Sequence, residues 1–437
     1  MVDISFFCNG LHGSWNRLHR ILAWSGIAGM PIILFLAITS SRIAAAENVP
    51  CSWPQFHGPE RDNISTETGL LKQWPEGGPA MAWSFEGLGH GYSSAAIADG
   101  IICTAGNIND ETVLTALNME GKVLWRASNG PAWTKSYPGS RSTPTFDGGF
   151  IYHQSPLGRI VCLRAKTGDV VWRKDILAEV NSKNSTWGLA ESVVVDGDLL
   201  FSSPGGPETC MVALDKKTGE MVWKAPGIDE LAGYASPVLF EFAGMKIIST
   251  LTAKSFIGVN AATGELLWRI KHESYADENV MLPIYHGDRL FISTLAAGSV
   301  QWRMTGAHGA IQLDEVWRTK EMDNHHGGVV LFQGNLYGTS TVKNGNQWVC
   351  LDWRSGQKKY QDEGVGKGSL TCADGMLYTL SIDRVVGLVR PTPEGMELVS
   401  SFEIPEGGEG KSWAHPVVCG GRLYIRHGEF LYVYQVR

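Results

Sequence analysis

Ten side chains suited to binding or proton chemistry are spread along this sequence, one or two to every forty-odd residues. They are Tyr92, Arg141, Trp187, Glu191, Tyr234, His325, His326, Lys367, Trp413 and His415. Most stand just ahead of a short apolar, β-branched run, as Glu191 does before Val193-Val-Val195 and His415 before Val417-Val418. Arg141, His325, Lys367 and His415 offer groups for an anionic or polyhydroxylated ligand, and Trp187, Tyr234 and Trp413 offer flat apolar walls. Brought to one mouth, they would make a small-molecule pocket. The plainer alternative is a solvated channel whose Ser and Thr hydroxyls bond to neighbouring backbone. No catalytic role is assigned to any of the ten, and no metal site is expected. Successive residues of a strand face opposite ways, so His325 and His326 would not share an ion there. Gly106-Asn-Ile-Asn-Asp-Glu111 lacks the alternating carboxylates and distal Glu of a calcium loop.

The elements that must position these residues are written in a repeat. Gly121-Lys-Val-Leu-Trp125 returns as Gly168-Asp-Val-Val-Trp172, Gly219-Glu-Met-Val-Trp223 and Gly264-Glu-Leu-Leu-Trp268, with a worn copy at Gly356-Gln-Lys-Lys-Tyr360. In phase with it run tight-turn pairs ending at Gly100, Gly148, Gly197, Gly244, Gly287, Gly334, Gly375 and Gly421. Glycine supplies the positive φ of such hairpins. Eight units follow, each reading as four short turn-bounded strands. The sequence therefore predicts an all-β fold: an eight-bladed β-propeller of four-stranded antiparallel blades. The last unit, Arg422-Leu-Tyr-Ile-Arg426 and Phe430-Leu-Tyr-Val-Tyr-Gln-Val436, has no Gly-x-x-x-Trp strand after it. Ala80-Met-Ala-Trp-Ser-Phe85 is predicted to close that blade as an N-terminal strand. The repeat's Trp is expected on the outermost strand, between neighbouring sheets. The organisation is a signal peptide or membrane anchor at 1–46, a lead-in strap at 47–79 and the propeller at 80–437.

Ala213-Leu-Asp-Lys-Lys-Thr-Gly-Glu-Met-Val-Trp223 and Val259-Asn-Ala-Ala-Thr-Gly-Glu-Leu-Leu-Trp268 resemble the repeat of the pyrroloquinoline-quinone (PQQ)-like propellers. That superfamily holds quinoprotein alcohol dehydrogenases and the BamB-like lipoprotein of the outer-membrane barrel-assembly machine. Trp53-Pro-Gln-Phe-His-Gly-Pro59 is similar to the opening of secreted planctomycete proteins of polyvinyl-alcohol-dehydrogenase-like type, with His57 in place of their Arg. The resemblance covers residues 53–437. It implies PQQ and calcium over the axis for the dehydrogenases, where Ca²⁺ polarises the quinone and an Asp takes the alcohol proton. Glu191, Asp277, Glu278, Asn279 and Asp323 are the nearby oxygen donors, without a recognisable ligand spacing. The adjacent-cysteine disulfide and roofing insertions of the alcohol dehydrogenases are absent from this sequence.

Arg17 and Arg20 precede an apolar stretch from Ile21 to Ile38, and Ala44-Ala45-Ala46 offers a cleavage site. This is the anatomy of an export signal, cleaved or retained as an N-terminal membrane attachment, and it implies a periplasm-facing protein. The net charge is −7 and no basic stripe occurs, so nucleic acid is not an expected partner. Cys162 and Cys350 share one repeat position and read as small core hydrophobes. A monomer is expected. Three functions stay open: a binding or scaffold module meeting an envelope protein at its mouth, a PQQ- and calcium-dependent alcohol or sugar dehydrogenase, and a carbohydrate-binding or degrading propeller.

Overall fold

The first strands of successive units line up around a ring and touch one another: Ala96–Ala98, Thr145–Asp147, Val194–Asp196, Val238–Phe242, Ile284–His286, Val329–Phe332, Gly368–Ala373 and Val417–Cys419. A computed structural model describes residues 51–307, 310–341 and 347–437; the segment 1–46, expected to be a signal peptide or membrane anchor, lies outside them. Each first strand opens a four-stranded antiparallel sheet, and the eight sheets are the blades of the predicted propeller. We number them from the blade at 96–131 to the one ending at Gln435.

Eight apolar clusters, one between each pair of adjacent blades, make the core. Cys103, Leu114 and Trp125 meet Phe146, Ile151 and Val161 between blades 1 and 2. Val417, Tyr424 and Leu431 meet Ile97, Ile102 and Leu117 where blade 8 returns to blade 1. Strands in the middle of each blade are buried on both faces, which is why they read as continuous apolar runs.

The Gly-x-x-x-Trp repeat is a clasp between blades. The indole Nε1–H of Trp125 donates to the Ala165 carbonyl of the next blade at 2.9 Å, and Trp172 donates to Lys216 at 2.9 Å. Trp83, Trp223 and Trp317 do the same to Met119, Ala261 and Trp353. Each ring lies against the glycine of the neighbouring copy. A Cβ on Gly219 would meet the Trp172 ring at 2.7 Å, and that glycine has φ +74°. Both ends of the motif thus serve one seam. Blade 5 has no such turn; its outer hairpin runs through Gly298–Ala307 and Ala310–Thr319. Trp268, facing it, closes on its own blade's Gly258, and its Nε1 has no hydrogen-bond partner among the described residues. The basic residues that follow the tryptophans bond backbone behind them: Arg126 to Gly87 and Arg173 to Ser128.

Blade 8 is closed as predicted. Met81–Glu86 pairs antiparallel with Phe430–Gln435, placing Met81 opposite Tyr434. The preceding lead-in is not merely a strap. Trp53 bridges antiparallel to Ile97, and Ile64–Ser65 pairs parallel with Cys372 and Ala373. Residues 53–65 therefore rise along one side of the axial channel, turn at His57 (φ 66°) and Gly58 (φ 81°), and descend along another. Cys51 is joined to Cys419 of blade 8 by a disulfide. The other five described cysteines are buried thiols, as Cys162 and Cys350 were expected to be.

Candidate functional site

The chain enters every inner strand from the same face of the ring, so the entry loops converge there. The axial plug meets them from the other side. Its tip carries Phe56, whose ring stacks on His57 at 3.9 Å and meets His415 edge-on at 5.2 Å. Phe56 is the floor of a dead-end pocket of about 190 Å³. Eight of the ten sequence-selected residues line it: Tyr92, Arg141, Trp187, Tyr234, His325, His326, Trp413 and His415.

Two of the ten are set apart. Lys367 borders a smaller niche behind His326 and Trp413, and burial lowers its pKa. Glu191 points outward from the axis and accepts from the Ser203 backbone N–H at 2.9 Å and from its hydroxyl. Burial raises its pKa to about 7. Seven lining residues were left out of the ten, the three largest or charged being Phe56, Tyr137 and Glu278. Phe56 was hidden because the lead-in sits outside the repeat; its Trp-Pro-Gln-Phe aromatics were the available signal. Tyr137 lies in an irregular loop, and Glu278 was weighed only as a calcium ligand.

His57, His326 and His415 form a connected set that burial keeps neutral. His415 Nε2 lies 2.9 Å from the His326 carbonyl oxygen, which only accepts, so Nε2 carries the proton. His415 Nδ1 then accepts from His57 Nε2–H at 3.1 Å. Burial lowers the His415 pKa to about 4 and holds His57 well below its ordinary value. His326 is held low by burial, with His325 and Lys367 adding repulsion. The rings of His325 and His326 lie side by side at 3.6 Å. The opposite-facing geometry expected for a strand does not apply, because both precede the strand Val329–Phe332. Gly328 lets His415 approach the backbone there: a Cβ on it would meet the His415 ring at 2.8 Å. His326 stacks on Trp413 at 4.1 Å and 14°. His325 Nε2 lies 2.8 Å from Glu278 Oε2, an ion-pair distance with poor hydrogen-bond alignment.

Arg141 is similarly engaged. It donates to the Gly139 and Tyr137 carbonyls at 2.8 and 2.6 Å and lies 5.8 Å from the centre of the Tyr92 ring. The site therefore presents aromatic faces, chiefly Trp187 and Tyr234, above groups already tied to the protein.

The fit to PQQ and calcium follows from these donors. Calcium takes six to eight oxygens. Glu278, the one carboxylate lining the pocket, faces His325. Asn279 donates its amide N–H groups to Thr252 and Ala253, and its buried Oδ1, without a partner among the described residues, lies outside the pocket lining. Asp323 binds Ser340 and Thr341. No group of three or more His, Cys, Asp or Glu residues able to hold a metal occurs among the described residues. The lining does not fit a calcium–quinone pair, and no chemical step is derived through one.

Comparisons with known proteins agree with the fold. Quinoprotein alcohol dehydrogenase PedH of Pseudomonas putida is 26% identical over 149 residues, 32% of this chain and 25% of that protein. Polyvinylalcohol dehydrogenase of Sphingopyxis sp. is 25% identical over 245 residues, 52% of this chain and 34% of that protein. The matched part thus spans a quarter to a third of these relatives. Among solved structures, BamB from Moraxella catarrhalis superposes with TM-score 0.56 at 13% identity, covering 81% of this chain and 97% of that one. Quinohemoprotein alcohol dehydrogenase from Comamonas testosteroni gives 0.62 at 12%, covering 90% and 81%. The PQQ_2 family model, described as outer membrane protein assembly factor BamB, matches residues 109–386. The chain belongs to that family of PQQ-like propellers.

Proposed function

We propose that this chain is an exported binding module whose axial mouth takes a polar ligand or a protruding segment of an envelope partner. The observation that carries the reading is the dead-end pocket itself. A plug closes it from below, the buried imidazoles of His326 and His415 and a committed arginine line it, and aromatic faces are left for contact. Such a lining favours stacking and a few directional hydrogen bonds over acid–base chemistry. At about 190 Å³ it is smaller than the roughly 300–1,000 Å³ of usual ligand pockets, so a sugar ring or a side chain suits it. The Cys51–Cys419 disulfide supports export, because such bonds persist in oxidising compartments. No helix among the described residues is long and apolar enough to cross a membrane.

The dehydrogenase reading is kept for one reason: the curated relatives are quinoprotein and polyvinyl-alcohol dehydrogenases. One titration separates the two. The purified chain is mixed with PQQ and CaCl₂, following quinone absorbance and thermal stability, and in parallel with cello- and chito-oligosaccharides. Binding of oligosaccharide that is lost in Trp187→Ala supports the binding module. Saturable micromolar PQQ binding with a raised melting temperature would replace it with the dehydrogenase.

A further inference from the structure

The plug does not fill the channel evenly. Among the described residues, its hydrogen bonds go to blades 1, 2, 3, 7 and 8. Trp53 pairs with Ile97, the Pro54 carbonyl accepts from Phe146, and Arg61 donates to the Ser192 carbonyl at 2.9 Å. Asn63 reaches the Leu370 carbonyl, and Ser65 donates to Val418 at 2.9 Å. Beside blades 4 to 6 a cleft of about 500 Å³ remains, on the face opposite the aromatic pocket. It is the larger of the two spaces and within the range of ligand pockets.

Its two sides differ in chemistry. Leu282, Ile284, Leu331 and Trp353 make an apolar wall from blades 5 and 6. The plug side carries Glu60 and Asp62, both exposed. Glu60 makes no ion pair among the described residues. Asp62 has one oxygen on the Ile64 backbone N–H at 3.0 Å and leaves the other for a partner. Arg61 borders the cleft, yet its Nη groups are committed to Gln55 at 3.0 Å and to blade 3. His57 is held neutral by burial. The lip is therefore net negative beside an apolar wall with an indole in it. That combination complements a long cationic side chain, whose methylenes need apolar cover while its head needs carboxylates and gains from a ring face.

We propose that this cleft is a second binding site, taking a Lys or Arg side chain from an extended basic segment of a partner polypeptide. The alkyl stem lies along Leu282, Ile284 and Leu331, and the head reaches Glu60 and Asp62. The site is independent of the aromatic mouth and of what the mouth binds.

The test uses the full chain and a fluorescein-labelled Leu-Arg-Leu-Arg peptide, followed by anisotropy at low salt. Glu60→Gln with Asp62→Asn keeps the Asx turn and should weaken binding about tenfold, the sum of two exposed ion pairs. Leu331→Lys should abolish it by placing a cation in the cleft. Trp413→Ala should leave it unchanged. Undiminished binding in the carboxamide variant would overturn the proposal, as would equal binding of Leu-Glu-Leu-Glu. Displacement by spermidine at equal concentration would overturn the assignment to a polypeptide.

Discussion

The rim of this propeller and its axis are built on opposite plans. At the rim one rule is reused: an indole from one blade lies on a positive-φ glycine of the next and donates to a carbonyl beside it, at Trp83, Trp125, Trp172, Trp223 and Trp317. At the axis the side chains vary from blade to blade, with Arg141, Trp187, His325 and Trp413 beside Tyr92 and Tyr234, and an unrepeated segment closes the floor. Five of the eight seams use this clasp and hold the ring at fixed spacing. The entry loops, freed from that duty, vary from blade to blade. Recognition is accordingly sought at the axis and stability at the rim.

The sharpest way to break this division is to release the plug from the ring. Cys51→Ala with Cys419→Ala opens a loop spanning 368 residues, worth on the order of 5 kcal/mol in the chain-entropy account. Urea titration should show that loss, and a reducing agent should reproduce it in the parent chain. A rim seam comes next. Trp172→Ala should cost roughly 3–5 kcal/mol, and Gly219→Val should approach it, since a branched side chain at positive φ would also strike Trp172. The same substitution at Gly197, which has open space around its Cβ position, should cost less.

Buried histidines should also announce themselves through pH. His415 and His272 are lowered to about 4 and His153 to about 3, with burial the first cause in each. A histidine whose folded pKa lies below its unfolded value of about 6.5 is proton-poor when folded. Folding stability then drops as pH falls from about 6.5 towards 4, by roughly 1.4 kcal/mol per unit for each such group. Glu191, raised by burial to about 7, acts in the opposite sense and loses stability as pH rises from about 4.5 through 7. Melting temperature should therefore peak between these limits. Glu191→Gln should remove the opposing slope of that carboxyl and so steepen the acid limb between about pH 4.5 and 6.5. The smallest effect compares two seams. Trp172→Phe gives up a hydrogen bond of about 1 kcal/mol that Trp268→Phe does not have to lose. Equal losses would mean the clasp works by ring burial alone.

What the sequence disclosed followed the same division. The blades were legible because Gly219, Met221 and Trp223 sit close along the chain and recur in step. The inner-strand entry loops were legible by position within the repeat, which brought eight of the ten selected residues to one pocket. Glu191 was misplaced because its side chain turns behind the strand to Ser203, a matter of which way one residue faces. Lys367 sits one niche away for a similar reason. The plug could not be read at all: Trp53 meets Ile97, Asn63 meets Leu370, and Cys51 meets Cys419. Each contact is a single long-range event with no second copy to confirm it.

Closure of blade 8 sets the order in which the chain can assemble. Met81 must find Tyr434, and Ser65 must find Val418, before the ring or its plug exists. Early blades therefore emerge from synthesis with an unsealed seam, and the segment that seals it waits for the last strands to be made. Contacts of such separation form slowly. The ring stays open until its C-terminal blade has been made.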